Sequence, residues 1–262
     1  LWKGHSYGRS ILGSAQTVTS LDGKTLRELH GGAYRGRNLI VAAAGNVEHG
    51  AFVHMVEEHF GHIDAGDGPP SLTVPVDPSS GDERVERDTS QSHVVFGSAL
   101  PAHSDPGRYG LVLLSTALGG GMSSRLFQRI REEMGLCYSV FTYQSFYAGR
   151  GVGGVYVGTR PATEDRAVEA IKEELGRVST GGLTADELDQ VKQQVKGQVM
   201  LSLESTSARL YRLTGFALHN EPFLGLDEVL GRLDAVSMED VARLADEYFD
   251  PARQLVLRLG PV

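Results

Sequence analysis

The 262-residue sequence contains a single cysteine, Cys137, no long apolar run and no block of basic residues. One cysteine cannot form an intramolecular disulfide, which favours a reducing compartment, so we expect a cytoplasmic location. No apolar run approaches the roughly 20 residues of a membrane-spanning helix, and residues 1–9 lack the apolar stretch of about 7 to 15 residues that signal peptides contain. The net charge of -8, without a Lys/Arg cluster, argues against a nucleic-acid binder. We therefore expect neither a membrane nor a nucleic acid among its partners.

The composition is otherwise that of a globular protein. With 40% apolar residues, 22% charged residues and 33 glycines, the chain is neither collagen-like nor disordered. Its length is sufficient for one large domain or two ordinary ones. It begins at Leu1 rather than at a methionine, so we expect a fragment of a longer protein.

A stretch rich in glycine, proline and serine divides the sequence, and we predict a linker at residues 67–82. Before the linker, residues 39–44 predict a buried strand. Residues 48–60 predict an amphipathic helix, and its buried stripe consists of Phe52, Val53, Val56 and Phe60. The predicted linker separates residues 1–66 from residues 83–262, which we expect to belong to different domains.

After the linker, hydrophobic periodicity and capping residues predict alternating strands and helices. Asp105 and Pro106 supply an N-cap and a first-turn proline for a helix that runs to Leu118, and Thr184 with Glu187 forms a capping-box pair. The predicted strands are residues 94–96, 138–144, 152–159 and 255–259, of which the second and third form a hairpin. The predicted helices are residues 105–118, 124–134, 167–178, 184–203 and 237–249. Ser237 can cap the last helix, and the apolar stripe of the third consists of Ala167, Ile171, Leu175 and Val178. This order predicts an α/β fold with a mixed sheet and helices.

The two ends of the chain share a weak repeat of helix, aromatic-ended turn and strand. At a constant offset, Leu26, Leu29, Tyr34, Ile40, Val41 and Gly45 match Val241, Leu244, Phe249, Leu255, Val256 and Gly260. Two interpretations stay open. In the first, the matches arise because any helix followed by a strand gives such a pattern. In the second, two similar domains stand in tandem and most of the first precedes Leu1.

The first part also carries residues that could suggest a zinc site. His54, Glu57, Glu58 and His59 stand together, but chelating histidines on a helix must be four apart to share a face. The two histidines here are five apart, which separates them by roughly 140° around the axis. We expect a solvated helix face and no metal site.

Two glycine patterns predict no phosphate site. Gly149, Gly151 and Gly154 match a dinucleotide-binding pattern, but a strand follows them where a helix N-terminus is required. Gly119, Gly120 and Gly121 lack the lysine of a nucleotide-binding loop and predict a flexible connection.

The segment GGGMSSRLFQRIREEMGLCYSV, residues 119–140, contains the candidate site. On its helix, Arg131 lies about 85° from the centre of the apolar stripe, at the border of the buried face. Tyr138 begins the next strand after the turn at Gly135, so a guanidinium and a phenol can converge and donate to a peptide carbonyl. The alternative is structural: an arginine paired with Glu132 or Glu133, beside a tyrosine at the rim of the core.

The same segment resembles the pitrilysin/insulinase family of zinc peptidases, particularly its processing-peptidase branch. SYGRSILGS at residues 6–14 and YRGRNLIVAAAGNVEH at residues 34–49 are similar to the close of that family's amino-terminal catalytic domain. The resemblance implies a processing-peptidase-like metallohydrolase fold, in which helices pack on one face of a mixed, largely antiparallel sheet. Residues 1–66 are then the remnant of a catalytic-type domain, and residues 83–262 are an inactive, substrate-holding domain.

The resemblance also implies a function and its partners. The family encloses a peptide between two related halves, holds Zn²⁺ with a His-x-x-Glu-His motif in the first half, and holds substrate with an arginine and a tyrosine of the second. These two residues correspond to Arg131 and Tyr138. Because the zinc motif does not occur in this sequence, we expect a zinc metalloendopeptidase whose ligands lie upstream, and a chain that is inactive alone. A homodimer or a homologous subunit is a further implied partner. The alternative function is a noncatalytic structural or substrate-binding subunit.

Overall fold

The structure, a computed structural model, describes residues 1–68, 73–75 and 78–261. Contacts divide the chain into two compact units. Unit 1 comprises Leu1–Lys3, Val74–Val199 and the chain from Leu224 onwards, and unit 2 comprises Gly4–Thr73 and Met200–Phe223. Part of the predicted linker at residues 67–82 lies outside the described residues, and the predicted domain boundaries stay a prediction.

The described helices follow one another along both units. They are α1 (Ala15–Ser20), α2 (Gly23–Ala33), α3 (His49–Phe60), α4 (Arg108–Gly119), α5 (Glu164–Gly181), α6 (Ala185–Ser202), α7 (Thr206–Leu218), α8 (Leu226–Asp234) and α9 (Met238–Phe249). A π-helix spans Phe127–Glu133. Within the described residues, no helix combines the length and apolar character needed to cross a membrane.

Unit 1 contains a five-stranded sheet. Its strands are β1 (Gly81–Glu86), β2 (Ser92–Leu100), β3 (Cys137–Ser145), β4 (Gly151–Thr159) and β5 (Leu255–Gly260), in the order β1-β5-β2-β4-β3. The β1/β5 pair is parallel, and the other three pairs are antiparallel. The predicted mixed, largely antiparallel sheet is confirmed, and so is the predicted hairpin of β3 and β4.

The core lies between one face of this sheet and the helices. Val94 and Phe96 of β2 and Val157 of β4 are fully buried, in one cluster with Ile171 and Leu175 of α5. Successive strand residues point to opposite faces, so these positions alternate with half-exposed ones on the other face. Full burial of each such side chain contributes about 1.5–3 kcal/mol. The predicted apolar stripe of α5 is confirmed.

Capping chemistry begins two of the helices as predicted. The Glu187 backbone N–H donates to the Thr184 hydroxyl, and the Thr184 N–H donates back to the Glu187 carboxylate. Ser237 and Asp240 form the equivalent box at α9.

The predicted start of α4 is wrong by about one turn. Asp105 does not cap the helix, because its carboxylate accepts the N–H of Gly107 at 2.7 Å and closes a turn before it. The helix then begins at Arg108.

The predicted strand at residues 39–44 is also wrong. The described elements of unit 2 are helices and short 3-10 turns, so no neighbouring strand offers it a hydrogen-bonding partner. The first copy of the predicted repeat therefore lacks its strand. Helix α3 forms as predicted, but its apolar stripe is incompletely buried: Val53 is 37% exposed and Phe60 is 45% exposed.

Candidate functional site

The predicted helix at residues 124–134 is mainly a π-helix. In its last turn the N–H of Met134 donates to the carbonyl of Arg129 five residues earlier, at 3.0 Å. Gly135, with φ of 59°, ends the turn as predicted. Short π-helical turns are rare in proteins, and many of those that exist lie at functional sites. Arg131 lies in this turn, 38% exposed, so its side chain reaches solvent.

Arg131 and Tyr138 lie side by side. The guanidinium carbon of Arg131 is 5.4 Å from the centroid of the Tyr138 ring and 4.6 Å from that of Phe127. Both distances are within the roughly 6 Å range of cation–π attraction. The Nε of Arg131 also lies 3.6 Å from the Glu132 carboxylate. The structure therefore brings the two predicted site residues together, and the carboxylate pairing that the spacing left open is present as well.

An irregularity in the sheet places Tyr138. The β3/β4 ladder shifts between Cys137 and Ser139, so Tyr138 is an inserted residue on the edge strand. Such bulges re-aim a side chain and are enriched beside functional sites. The Tyr138 side chain is 78% exposed, so its hydroxyl is open to solvent and can donate to a ligand.

Two arginines that the sequence did not single out anchor this segment. The Nε and Nη2 atoms of Arg125 each lie 2.7 Å from a carboxylate oxygen of Glu187, and Arg129 lies 2.7 Å from Glu173 of α5. The hydrogen bonds from Arg125 lower the pKa of Glu187 to about 2. Arg125 and Glu187 are 62 residues apart, so sequence spacing gives no signal of the pair.

An aromatic row also escaped the sequence analysis. On the sheet face opposite the core, Phe141 and Tyr156 are directly paired, with ring centroids 4.9 Å apart. The Tyr156 hydroxyl lies 2.7 Å from Nδ1 of His93 on β2. The sequence does contain one signal of this row. Side chains alternate between the two faces of a strand, and Tyr156 stands between the core residues Val155 and Val157, so it points away from the core.

The residues that suggested a metal in the sequence do not form a site. His54, Glu57, Glu58 and His59 are all exposed on α3, as expected for a solvated face. Within residues 1–68, 73–75 and 78–261, no group of three or more His, Cys, Asp or Glu side chains is arranged to hold a metal ion. These residues therefore do not fit a zinc site.

The two glycine patterns have structural roles. Gly151 and Gly154 lie inside β4, so a strand follows this pattern as predicted. Gly119 ends α4 where it touches β3: a Cβ there would stand 2.6 Å from the Thr142 nitrogen.

Unit 2 contains an apolar cavity of about 510 Å³. Its lining includes Ile40, Val41, Phe52 and Val56, with Leu213 of α7. No described residue of unit 2 is buried, and it exposes many large apolar side chains, including Leu29 at 64%, Leu201 at 68% and Leu218 at 68%. Exposed apolar surface on this scale is typical of an interaction face.

Comparison with known proteins gives consistent matches. Residues 20–195 match the model of a family described as the peptidase M16 inactive domain. The chain is 36% identical over 267 residues to a protein of Streptomyces coelicolor named an uncharacterized zinc protease, which covers 98% of this chain and 58% of that protein. It is also 36% identical over 259 residues to a Bacillus subtilis protein with the same description, covering 97% of this chain and 61% of that protein.

Solved structures agree on the fold. A crystal structure of a peptidase M16 inactive domain from Pseudomonas fluorescens superposes with a TM-score of 0.92 at 20% identity, covering all of this chain and 63% of that one. A protease from Helicobacter pylori gives a TM-score of 0.83 at 23% identity, covering 95% of this chain and 62% of that one. At these identities the likeness establishes the fold alone.

Proposed function

The chain belongs to the peptidase M16 inactive-domain family, and from that premise we propose that it is the substrate-holding part of a zinc-dependent metalloendopeptidase. In this proposal residues 1–66 are the end of the catalytic-type domain, residues 67–82 are the linker, and residues 83–262 are the inactive domain. The peptide is enclosed between the two halves.

The length of the relatives supports a further part of the protein. The chain spans 58% and 61% of the two bacterial zinc proteases that it matches, so about two fifths of each has no counterpart here. The His-x-x-Glu-His motif does not occur in this sequence, and we place the Zn²⁺ ligands in that remainder. The exposed apolar surface of unit 2 supports this arrangement, because the remainder of the protein can cover it. Alone, the chain should be inactive.

One observation carries the role of this chain: the Arg131 guanidinium rests on the Tyr138 ring at the exposed edge of the sheet. Its ion pair with Glu132 is long, at 3.6 Å, and half exposed, so it contributes little and can be exchanged for a ligand. Arg131 then donates to a carbonyl or carboxylate of the peptide, and the Tyr138 hydroxyl donates to a second oxygen. The contribution of these two residues is to orient the peptide.

The test uses the full-length protein and an unstructured fluorogenic peptide. We expect hydrolysis that zinc supports and chelation abolishes, with no hydrolysis by the 262-residue chain alone. Arg131→Ala and Tyr138→Ala should lower kcat/KM and leave the zinc content unchanged. Hydrolysis that is equal with zinc and after chelation would contradict the proposed activity. A loss of zinc in either variant would contradict the assigned role.

Two further assignments belong to the same proposal. A single cysteine supports a cytoplasmic location. A second copy of the protein or a homologous subunit is a proposed partner, and sedimentation of the full-length protein tests it. If hydrolysis is absent while peptides still bind, the chain is part of a noncatalytic, substrate-binding subunit.

A further inference from the structure

The row formed by Phe141, Tyr156 and His93, here called the aromatic row, crosses three neighbouring strands on the sheet face opposite the core. Ring centroids are 4.9 Å apart between Phe141 and Tyr156 and 6.0 Å apart between Tyr156 and His93. Phe141 is 43% exposed. The row consists of two aromatic rings and an imidazole, and an aromatic surface of this kind offers offset or edge contacts to a further ring.

The aromatic row is held in place before any ligand arrives. A hydrogen bond of 2.7 Å to His93 holds the Tyr156 hydroxyl in place. Gly158, the partner of His93 in the sheet, has no side chain that would push this hydroxyl away. A Cβ on Gly158 would stand 3.2 Å from that hydroxyl. A ring with fixed orientation loses little conformational freedom on binding, so it is preorganised for contact. The core does not require this arrangement, because the aromatic row lies on the opposite face of the sheet.

The aromatic row lies close to the cationic site. Phe141 is three residues from Tyr138 on the same edge strand, which corresponds to roughly 10 Å. An extended peptide covers about this length in two to four residues, and its side chains two or four residues apart point to the same side. A peptide that places a carboxylate or carbonyl at Arg131 therefore brings a side chain two or four residues away to the aromatic row.

We propose that the aromatic row is a specificity subsite that takes an aromatic or large aliphatic side chain of the bound peptide, two or four residues from the group held by Arg131. This inference rests on the proposed function, since it assumes that Arg131 and Tyr138 hold a peptide. The pattern of one cationic contact and one apolar contact predicts a preference for peptides that pair an acidic residue with an aromatic one at that spacing.

The test measures binding separately from hydrolysis. Fluorescein-labelled, unstructured 12-residue peptides with one Glu and one Phe two or four residues apart are titrated with chelated full-length protein and followed by anisotropy. In matched peptides Ser replaces Phe. We expect the Phe peptide to bind about tenfold more tightly than the Ser peptide. Phe141→Ser should remove most of this difference and leave the affinity for the Ser peptide within about twofold.

A matched control lies at the other edge of the sheet. Val85 on β1 is 40% exposed, similar to Phe141, and Val85→Ser should keep the tenfold preference. Tyr156→Phe retains the ring and removes the bond to His93, so the preference should fall only partly. This second variant keeps the test decisive if Phe141→Ser does not fold.

Two outcomes overturn the subsite. They are equal binding of both peptides by the unmodified protein and an equal loss of affinity for both peptides in Phe141→Ser. Failure of the proposed function gives a different result: zinc-dependent hydrolysis is absent, or Arg131→Ala leaves the affinity for both peptides unchanged. In either case the difference in affinity between the Phe and Ser peptides still tests the aromatic row.

Discussion

Arg125 holds Glu187 through two hydrogen bonds of 2.7 Å, from its Nε and Nη2 atoms to the two carboxylate oxygens. This bidentate pair links Arg125, two residues before the start of the π-helix, to the first turn of α6. The Nη2 atom also donates to the Gly182 carbonyl at 3.2 Å. Because Arg131 follows on the same helical segment, the pair helps to fix the position of the candidate site.

We expect Glu187→Gln to destabilise the protein by about 1–2 kcal/mol at pH 7, since a partly exposed, charge-assisted bidentate pair is lost. The folded protein lowers the pKa of Glu187 to about 2, from its usual value of 4.5. The stabilisation is therefore present above about pH 4.5 and is lost as the pH falls towards 2. Urea unfolding at pH 7 and pH 3 measures the change. The difference between Glu187→Gln and the unmodified protein should shrink at the lower pH.

The matched control for this prediction is Glu228→Gln. Glu228 pairs with Arg232 one turn along α8 at 2.9 Å, and both side chains are about half exposed. Such a pair contributes about 0.3–0.5 kcal/mol. An equal loss of stability in the two variants would show that the Arg125–Glu187 pair stabilises the protein no more than an exposed pair does.

The contact between Arg131 and Tyr138 predicts an order of effects among variants at Tyr138. Phenylalanine keeps the ring face under the guanidinium, whereas alanine removes it. We expect Tyr138→Ala to lower kcat/KM by about 10- to 100-fold and Tyr138→Phe by less, because only the hydroxyl donor is lost. Steady-state kinetics of the full-length protein, with zinc content measured in parallel, test the order. Equal losses would assign the whole effect to the hydroxyl.

Much of unit 1 could be predicted from the sequence because its signals are local. The stripe of α5, the boxes at Thr184 and Ser237, and the β3/β4 hairpin each depend on residues within a few turns of one another. The convergence of Arg131 and Tyr138 was also within reach, since seven residues and one glycine turn separate them.

The remaining features depend on contacts between distant residues. Arg125 meets Glu187 across 62 residues, and the aromatic row requires the pairing of three strands. The error at residues 39–44 has a different cause: an apolar run predicts burial, but a strand also needs a partner strand, and periodicity does not show whether one exists. The π-helix was missed because its pattern of apolar residues fits an α-helix equally well.

The glycine run offers a prediction with an internal control. A Cβ on Gly119 would stand 2.6 Å from the Thr142 nitrogen and 2.8 Å from its Cγ2, both on β3. Gly119→Ala should therefore force α4 away from the sheet and cost about 1–3 kcal/mol. Gly121 has only Gln194 at 3.7 Å, so Gly121→Ala should change stability by less than about 0.5 kcal/mol. Thermal unfolding of the two variants checks the difference, and similar melting temperatures would contradict the close approach of α4 and β3.

Cys137 reports on the environment of Arg131 without requiring a substrate. Burial raises the pKa of its thiol to about 11 from 9.0, while the positive charge of Arg131 acts in the opposite direction. At pH 8 the thiolate fraction is then about 100-fold lower than that of an unperturbed cysteine, and alkylation by iodoacetamide should be slower by a similar factor. Arg131→Ala removes the lowering influence, so the pKa should rise further and alkylation should slow again. Mass spectrometry of the alkylated protein at several pH values gives both rates. Faster alkylation in Arg131→Ala would mean that the arginine acts on Cys137 by covering it rather than by its charge.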